Sequence, residues 1–325
     1  MAALEFFEKH CDECEGKSQE EIQGLLNQFM QEYNYQIFNQ APLTENTAKT
    51  ADDWYDLACE AKSRRKAIKY CENALELEPD YLDAELMIVD IATRSDFEHL
   101  ERLEKVCKHG EELMKKEGLL PDSIGAFWGI LETRPYMRAL CSKLQALIEM
   151  GMMKKAIDVA EEMLTLCESD NMGIRFQLVS LYAYFEDAMN ANRILEKYPG
   201  HATSMLMPLS LLYFKLGDLE LSKKYLNTLM EINKDFKEFL KYTNSYTVQS
   251  FYDDAIRQGY RPNSMGEIIM CLMDSTFLFE RADAYFEWAN QICNPKKTNW
   301  KYRRQRKRRV PPRNKTMYLV NKEND

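Results

Sequence analysis

Glu132, Arg134 and Arg138 set one carboxylate and two guanidinium groups within seven positions of a 325-residue chain, in the stretch FWGILETRPYMRAL (127–140). Guanidinium forks grip carboxylates or phosphates through paired hydrogen bonds, so two chemistries fit. One is an ion-pair cluster that ties two helices at a junction, with Glu132 in salt-bridge reach of Arg134 or Arg138. The other is a clamp for an anion or carboxylate, helped by the partial positive charge of a helix N-terminus. Pro135 disfavours helix at Arg134 but suits a first turn. A helix is therefore expected to start here, with Thr133 or Arg134 as its cap, after a preceding helix over 122–131 that carries Phe127 and Trp128. On the new helix Tyr136, Leu140, Leu144, Leu147 and Ile148 form a core stripe. Arg138, Cys141, Gln145 and Glu149 lie on another face. Arg175 and Gln177 open a later helix behind Gly173, where a partner contact and a packing ion pair are both open readings.

A second candidate lies at the other end of the chain. PKKTNWKYRRQRKRRVPPRNK (295–315) interleaves Trp300 and Tyr302 with Arg303, Arg304, Arg306, Lys307, Arg308 and Arg309. Aromatic stacking with phosphate neutralisation is how basic segments hold single-stranded nucleic acid. The competing reading is a tail that docks on an acidic surface, its own or a partner's. Residues 296–325 hold twelve Lys and Arg against two acidic residues, a balance of +10, whereas the whole chain carries −9; residues 1–295 therefore carry −19. Such a tail has few aliphatic side chains and cannot bury enough apolar surface to order itself.

Catalytic signatures are missing. There is no GxxxxGK[ST], GxGxxG, HExxH or GxSxG. The four histidines, His10, His99, His109 and His201, stand at no spacing that suggests a triad. His109, next to Gly110 at an expected break in a charged helix, reads as a surface residue. HCDEC (10–14) brings Cys11 and Cys14 beside His10, but a structural zinc site wants a second such cluster, and none follows. No cofactor or metal is expected, and an enzyme is the third reading.

The elements that must carry these residues are helical. Gly and Pro number 12 and 10, low for this length, and Leu, Met, Ala, Glu and Lys dominate. Nine cysteines, an odd number, sit mostly inside helical patterns and suggest reduced thiols in a cytoplasmic protein. No signal peptide and no membrane-spanning run is expected. Residues 1–40 form an amphipathic region with Ile22, Leu25, Leu26, Phe29, Met30 and Tyr33 on one face, followed by a linker at 41–50. Helix pairs then recur over 51–235. Trp54, Leu57 and Ala58 face Ala67, Cys71 and Ala74 in 51–80. Leu140, Leu144 and Leu147 precede Gly151 and then Ala156, Ala160 and Met163 in 138–171. Ala188, Leu195 and Pro199 mark a pair in 171–200, and Gly217 turns into Ser222, Leu226 and Leu229 in 203–235. Small residues at 156, 188 and 222 recur at intervals of 32 and 34. The segment 81–118 gives one more, irregular pair. Atypical aromatic capping helices fill 236–294, and the tail takes 295–325. The stripes MLMPLSLLYF (205–214) and MCLMDSTFLFE (270–280) are expected to be core.

This pattern resembles the tetratricopeptide repeat, whose period is about 34 residues. The turn in 51–80 is about three residues shorter than that family's. The block ETRPYMRA, with LDAELMIVDIA (82–92) before it and Gly151, Ala156, Ile157, Met163, Leu164, Asn171, Gly173 and Arg175 after it, resembles a mainly bacterial group of such proteins over roughly residues 50–200. The resemblance implies an all-α, right-handed superhelical array that holds a protein or peptide partner in its concave groove. The site residues would then be Glu132, Arg134, Arg138, Cys141, Gln145, Glu149, Arg175 and Gln177. The basic tail has no counterpart in that group. Nucleic acid bound through 296–315 is the alternative partner, and no membrane contact is expected.

Overall fold

The computed structural model describes residues 17–39, 43–242 and 261–295. The cluster at 10–14, residues 243–260 of the expected capping region, and the basic segment 296–325 lie outside them. The described residues form an all-α chain of successive helices without a named strand. Two compact units emerge, one from 1–122 with 130–146 and one from 123–129 with 147–325.

In the first unit α1 (Gln19–Asn39) precedes two helix pairs, α2 (Ala51–Cys59) with α3 (Arg64–Leu77) and α4 (Leu82–Ala92) with α5 (Asp96–Lys116). Three of the four starts are set by side chains that accept otherwise orphaned backbone N–H groups. Thr50 and Asp53 make a reciprocal capping box on α2. Ser63 accepts from Lys66 N on α3, and Ser95 from Glu98 N on α5. Ala58, Tyr70, Cys71, Ala74 and Ala84 form the buried centre, with Trp54, Tyr55 and Tyr81 packed around it.

α5 runs unbroken through Gly110, contrary to the break expected there. Packing explains that glycine. A Cβ at 110 would stand 2.6 Å from Cδ2 of Tyr136 and 3.2 Å from Cδ1 of Leu82. The absent side chain lets the buried Tyr136 ring lie against the helix backbone.

α6 (Arg134–Glu149) begins where the proline signal places it. Thr133 is fully buried, its carbonyl accepts from Met137 N at 3.1 Å, and its hydroxyl donates to Ile130 O at 2.9 Å. The helix expected over 122–131 is absent. Gly125 (φ +93°) and Trp128 (φ +72°) adopt left-handed backbone that a helix cannot contain. Within the second unit Gly125 N and Phe127 N both donate to Leu166 O at 3.0 Å, which seats the fully buried Phe127 ring.

The second unit continues with α7 (Met153–Leu166), α8 (Ile174–Tyr184), α9 (Ala188–Lys197), α10 (Thr203–Lys215), α11 (Leu219–Ile232), α12 (Phe236–Tyr242), α13 (Met265–Asp274) and α14 (Asp283–Cys293). Gly151 (φ +71°) and Gly217 (φ +79°) turn the chain between helices, a conformation that glycine adopts without steric cost. Asp187 and Asp218 cap α9 and α11.

The small-residue register differs from the expected one. Ala67, Ala156, Ala191 and Ser222 each occupy the fourth position of their helices, and all are buried. Ala188 is instead the first residue of α9 and only half-buried. Ser222 and Ser210 exchange bonds across the close approach of α10 and α11: Ser222 Oγ donates to Ser210 O at 2.7 Å, and Ser210 Oγ donates to Ser222 O at 3.0 Å. The stripe in α10 is core as expected, with Met205, Leu206, Met207, Leu209, Leu211 and Leu212 buried. In α13 only part of the stripe is core, since Met270 and Met273 are exposed.

Candidate functional site

A recess of about 460 Å³ opens in the first unit where the end of α3, the start of α4, the end of α5 and the start of α6 converge. Its floor includes Leu82, Leu113, Met114, Leu131 and Pro135. Asp52, Glu78, Asp80, Tyr81, Asp83, Glu117, Glu132, Arg134 and Arg138 complete the wall. Six carboxylates therefore face two guanidinium groups.

The Arg138 fork is occupied. Its Nε donates to Asp83 Oδ1 at 2.7 Å and its Nη2 to Asp83 Oδ2 at 2.5 Å, a bidentate pair. The carboxylate that Arg138 meets is thus Asp83, 55 residues upstream, so of the two arginines that the sequence offered to Glu132, Arg138 is held elsewhere. The reason is geometric. α6 carries Arg138 one turn past its start, toward the first turn of α4, while Glu132 stays exposed before the helix. Asp83 belongs to LDAELMIVDIA and Arg138 to ETRPYMRA, so the two stretches that carry the resemblance meet in this pair.

Around the pair the field is negative. Tyr81 Oη donates to Asp52 Oδ1 at 2.6 Å. Burial first, then that hydrogen bond and the charges of Asp52 and Asp83, push the Tyr81 phenol far above its ordinary range. Asp80 accepts from Lys116 at 3.3 Å and faces His109 Nε2 at 3.3 Å. Its carboxyl is held below the usual range by Lys116, with His109 adding to the effect. His109 is not a bare surface residue, because its Nδ1 also stands 3.0 Å from Glu85 Oε1. Burial alone would lower the His109 value, but Glu85 and Asp80 together raise it above 6.5. Glu78, Glu117 and Glu132 are exposed at the rim and meet no cation among the described residues.

The remaining expected residues are scattered. Cys141 and Gln145 are half-buried along α6, and Glu149 is exposed at its end. Burial pushes the Cys141 thiol up, which makes it a poor nucleophile. Arg175 lies in the second unit, where Nη1 donates to Asp170 Oδ2 at 2.7 Å and Cζ lies 4.2 Å from the Phe176 ring centroid. The Asp170 side chain is shielded and also accepts from Ile174 N at 2.7 Å, so it caps α8 and holds Arg175 at once. The packing reading of Arg175 thus has its partner in Asp170. Arg175 also lines a separate recess of about 410 Å³ with Tyr198, Lys197 and His201. Gln177 Oε1 is enclosed without a hydrogen-bond partner. Trp300, Tyr302 and the cations at 303–309 lie outside the described residues. Among the described residues no group of three or more His, Cys, Asp and Glu is placed to hold a metal ion.

Sequence reasoning missed Asp83, Asp80, Tyr81 and Glu117. Their only signal is their place at helix ends that flank the recess, Asp80, Tyr81 and Asp83 at the start of α4 and Glu117 at the end of α5.

Residues 204–236 match the protein-family model described as tetratricopeptide repeat. The match covers α10, α11 and the first residue of α12, the pair clasped by Ser210 and Ser222. No curated protein matches the chain. No helix among the described residues is long and apolar enough to cross a membrane.

Proposed function

We propose that the protein is an interaction scaffold that holds a Lys- and Arg-rich segment of a partner protein in the recess between α3, α4, α5 and α6. The repeat at 204–236 supports a scaffold in general. The observation that carries the finer reading is the charge of the recess, six carboxylates against two arginines, with Arg138 already neutralised by Asp83. That balance reverses the anion clamp that Arg134 and Arg138 suggest in sequence. An acidic peptide would meet Glu78, Glu117 and Glu132 first. A lysine or arginine instead lays its aliphatic stem on Leu131 and Pro135 and leaves its head among the carboxylates. The same meeting of Asp83 with Arg138 supports placing the chain in the group with the ETRPYMRA block. Free thiols at every described cysteine agree with a reducing, cytoplasmic setting.

The test is a titration of fluorescein-labelled Lys/Arg and Asp/Glu octapeptides into the full chain at about 50 mM salt. The basic peptide is expected to bind, and the variant Glu78→Gln/Glu117→Gln/Glu132→Gln to weaken it about tenfold or more, at several tenths of a kcal/mol or above per exposed pair. Preference for the acidic peptide, or binding untouched by the triple change, overturns the reading. Single-stranded nucleic acid held by 300–309 would show as oligonucleotide binding that the triple change does not weaken.

A further inference from the structure

We infer that the recess of the second unit beside Arg175 binds the phosphoryl group of a phosphorylated side chain in a partner protein. This adds a site of opposite sign to the scaffold and does not depend on the acidic recess of the first unit.

The recess, about 410 Å³, lies where the start of α8, the end of α9 and the start of α10 converge. Arg175, Lys197 and His201 line it, and no carboxylate does. Asp170, the partner of Arg175, keeps only 1% of its side chain exposed and turns its oxygens to the backbone N–H groups of Ile174 and Arg175. An entering anion therefore meets cations and no competing negative surface.

Arg175 is fixed before any ligand arrives. Asp170 holds its Nη1 at 2.7 Å, and its Cζ lies 4.2 Å from the Phe176 ring centroid and 5.8 Å from that of Tyr198. Its Nε and Nη2 make no hydrogen bond among the described residues, which leaves donors of the fork for a ligand oxygen. Lys197 sits 5.3 Å from the Tyr198 ring centroid and pairs with no carboxylate among the described residues. The Tyr198 hydroxyl is shielded from solvent without a hydrogen-bond partner there.

This set of groups selects the ligand. A phosphate monoester carries about −1.5 to −2 charges and three acceptor oxygens, enough for a guanidinium edge and an ammonium together. A carboxylate brings one charge and two oxygens. The recess is far larger than a lone phosphate ion, and a Cβ at Gly200 would meet nothing within 4 Å, so the wall beside Pro199 stays open to the chain that carries the phosphate.

The test titrates fluorescein-labelled octapeptides with a central phosphoserine, serine or glutamate into the full chain at about 100 mM salt, with inorganic phosphate as competitor. The phosphopeptide is expected to bind about tenfold or more tighter than either of the others. Lys197→Gln/His201→Gln changes two exposed residues. It is expected to weaken phosphopeptide binding about tenfold or more, with the melting temperature and the binding of the Lys/Arg octapeptide unchanged. Arg175→Lys keeps a cation for Asp170 but loses the fork, and is expected to weaken the phosphopeptide as well. A glutamate peptide that binds as tightly as the phosphopeptide overturns the inference in favour of an acidic segment. Inorganic phosphate that binds as tightly as the phosphopeptide overturns it in favour of the free ion. Phosphopeptide binding that neither variant weakens, as attachment to the cations at 303–309 would give, overturns it, and so does absence of phosphopeptide binding. Each of these leaves the reading of the acidic recess standing, because the Lys/Arg octapeptide tests that recess separately.

Discussion

Arg138 is 41% exposed and Asp83 only 13%, so the two ends of their fork are not equivalent. Removing the arginine leaves a shielded carboxylate without its cation. Arg138→Ala is expected to cost about 1–2 kcal/mol, the lower part of the range for an unpaired buried charge because the outer end is solvated. Glu132→Ala is expected to stay within about 0.5 kcal/mol, as for an exposed residue that meets no cation among the described residues. Thermal melts on the two variants check this, and equal losses would contradict the pairing. His109 gives a second expectation. Its folded value is raised above 6.5 by Glu85 and Asp80 against the lowering effect of burial. The stabilisation from charged His109 is therefore complete below about pH 6.5 and is lost as pH rises through the folded value. The melting temperature of the wild-type chain is expected to fall relative to His109→Gln between pH 6 and 8. Parallel curves would mean that the bridge from α5 to Asp80 and Glu85 contributes nothing. At this scale the sequence shows Arg138 but not its partner, because no spacing rule links a residue in the first turn of one helix to a residue 55 positions later.

Helices and turns were far more legible. The glycines at 151 and 217 and the start at Pro135 mark real ends because each solves a local backbone problem, whereas the caps Thr50, Ser63, Ser95, Asp187 and Asp218 were not singled out in the sequence. Two elements misled, for physical reasons. Gly110 looks like a break but is a packing device. Gly110→Ala gains about 1 kcal/mol of helix propensity, yet it places a methyl 2.6 Å from the Tyr136 ring. A net loss of about 1–3 kcal/mol is expected from overpacking, and a stabilised variant in urea titration would contradict the close approach. Residues 122–131 look helical by composition, but left-handed backbone at Gly125 and Trp128 is decided by hydrogen bonds to Leu166, which sequence periodicity does not report. The repeat register gives a further expectation. Ala191→Met forces a large side chain into the fully buried fourth position of α9 and is expected to cost about 1–3 kcal/mol. Ala188→Met, at the half-buried first position, is expected to cost far less. The reverse order would restore the interval-based register.

For the whole molecule, the charge division along the chain was plain in the sequence, but the place where acidic charge gathers was not. Asp52, Asp80 and Glu117 belong to three different helices or their flanks and meet only in the folded first unit. Binding of a basic segment there must weaken with salt, since the rim carboxylates are solvated and screened over about 10 Å at 0.1 M. Hydrogen exchange followed by mass spectrometry tests the central claim most directly, because it reports where the partner segment sits. Addition of a saturating Lys/Arg octapeptide to the full chain is expected to slow exchange at 78–83, 113–118 and 131–138. Protection confined to the second unit, around 174–205 or 211–219, or no protection despite binding, would contradict the account.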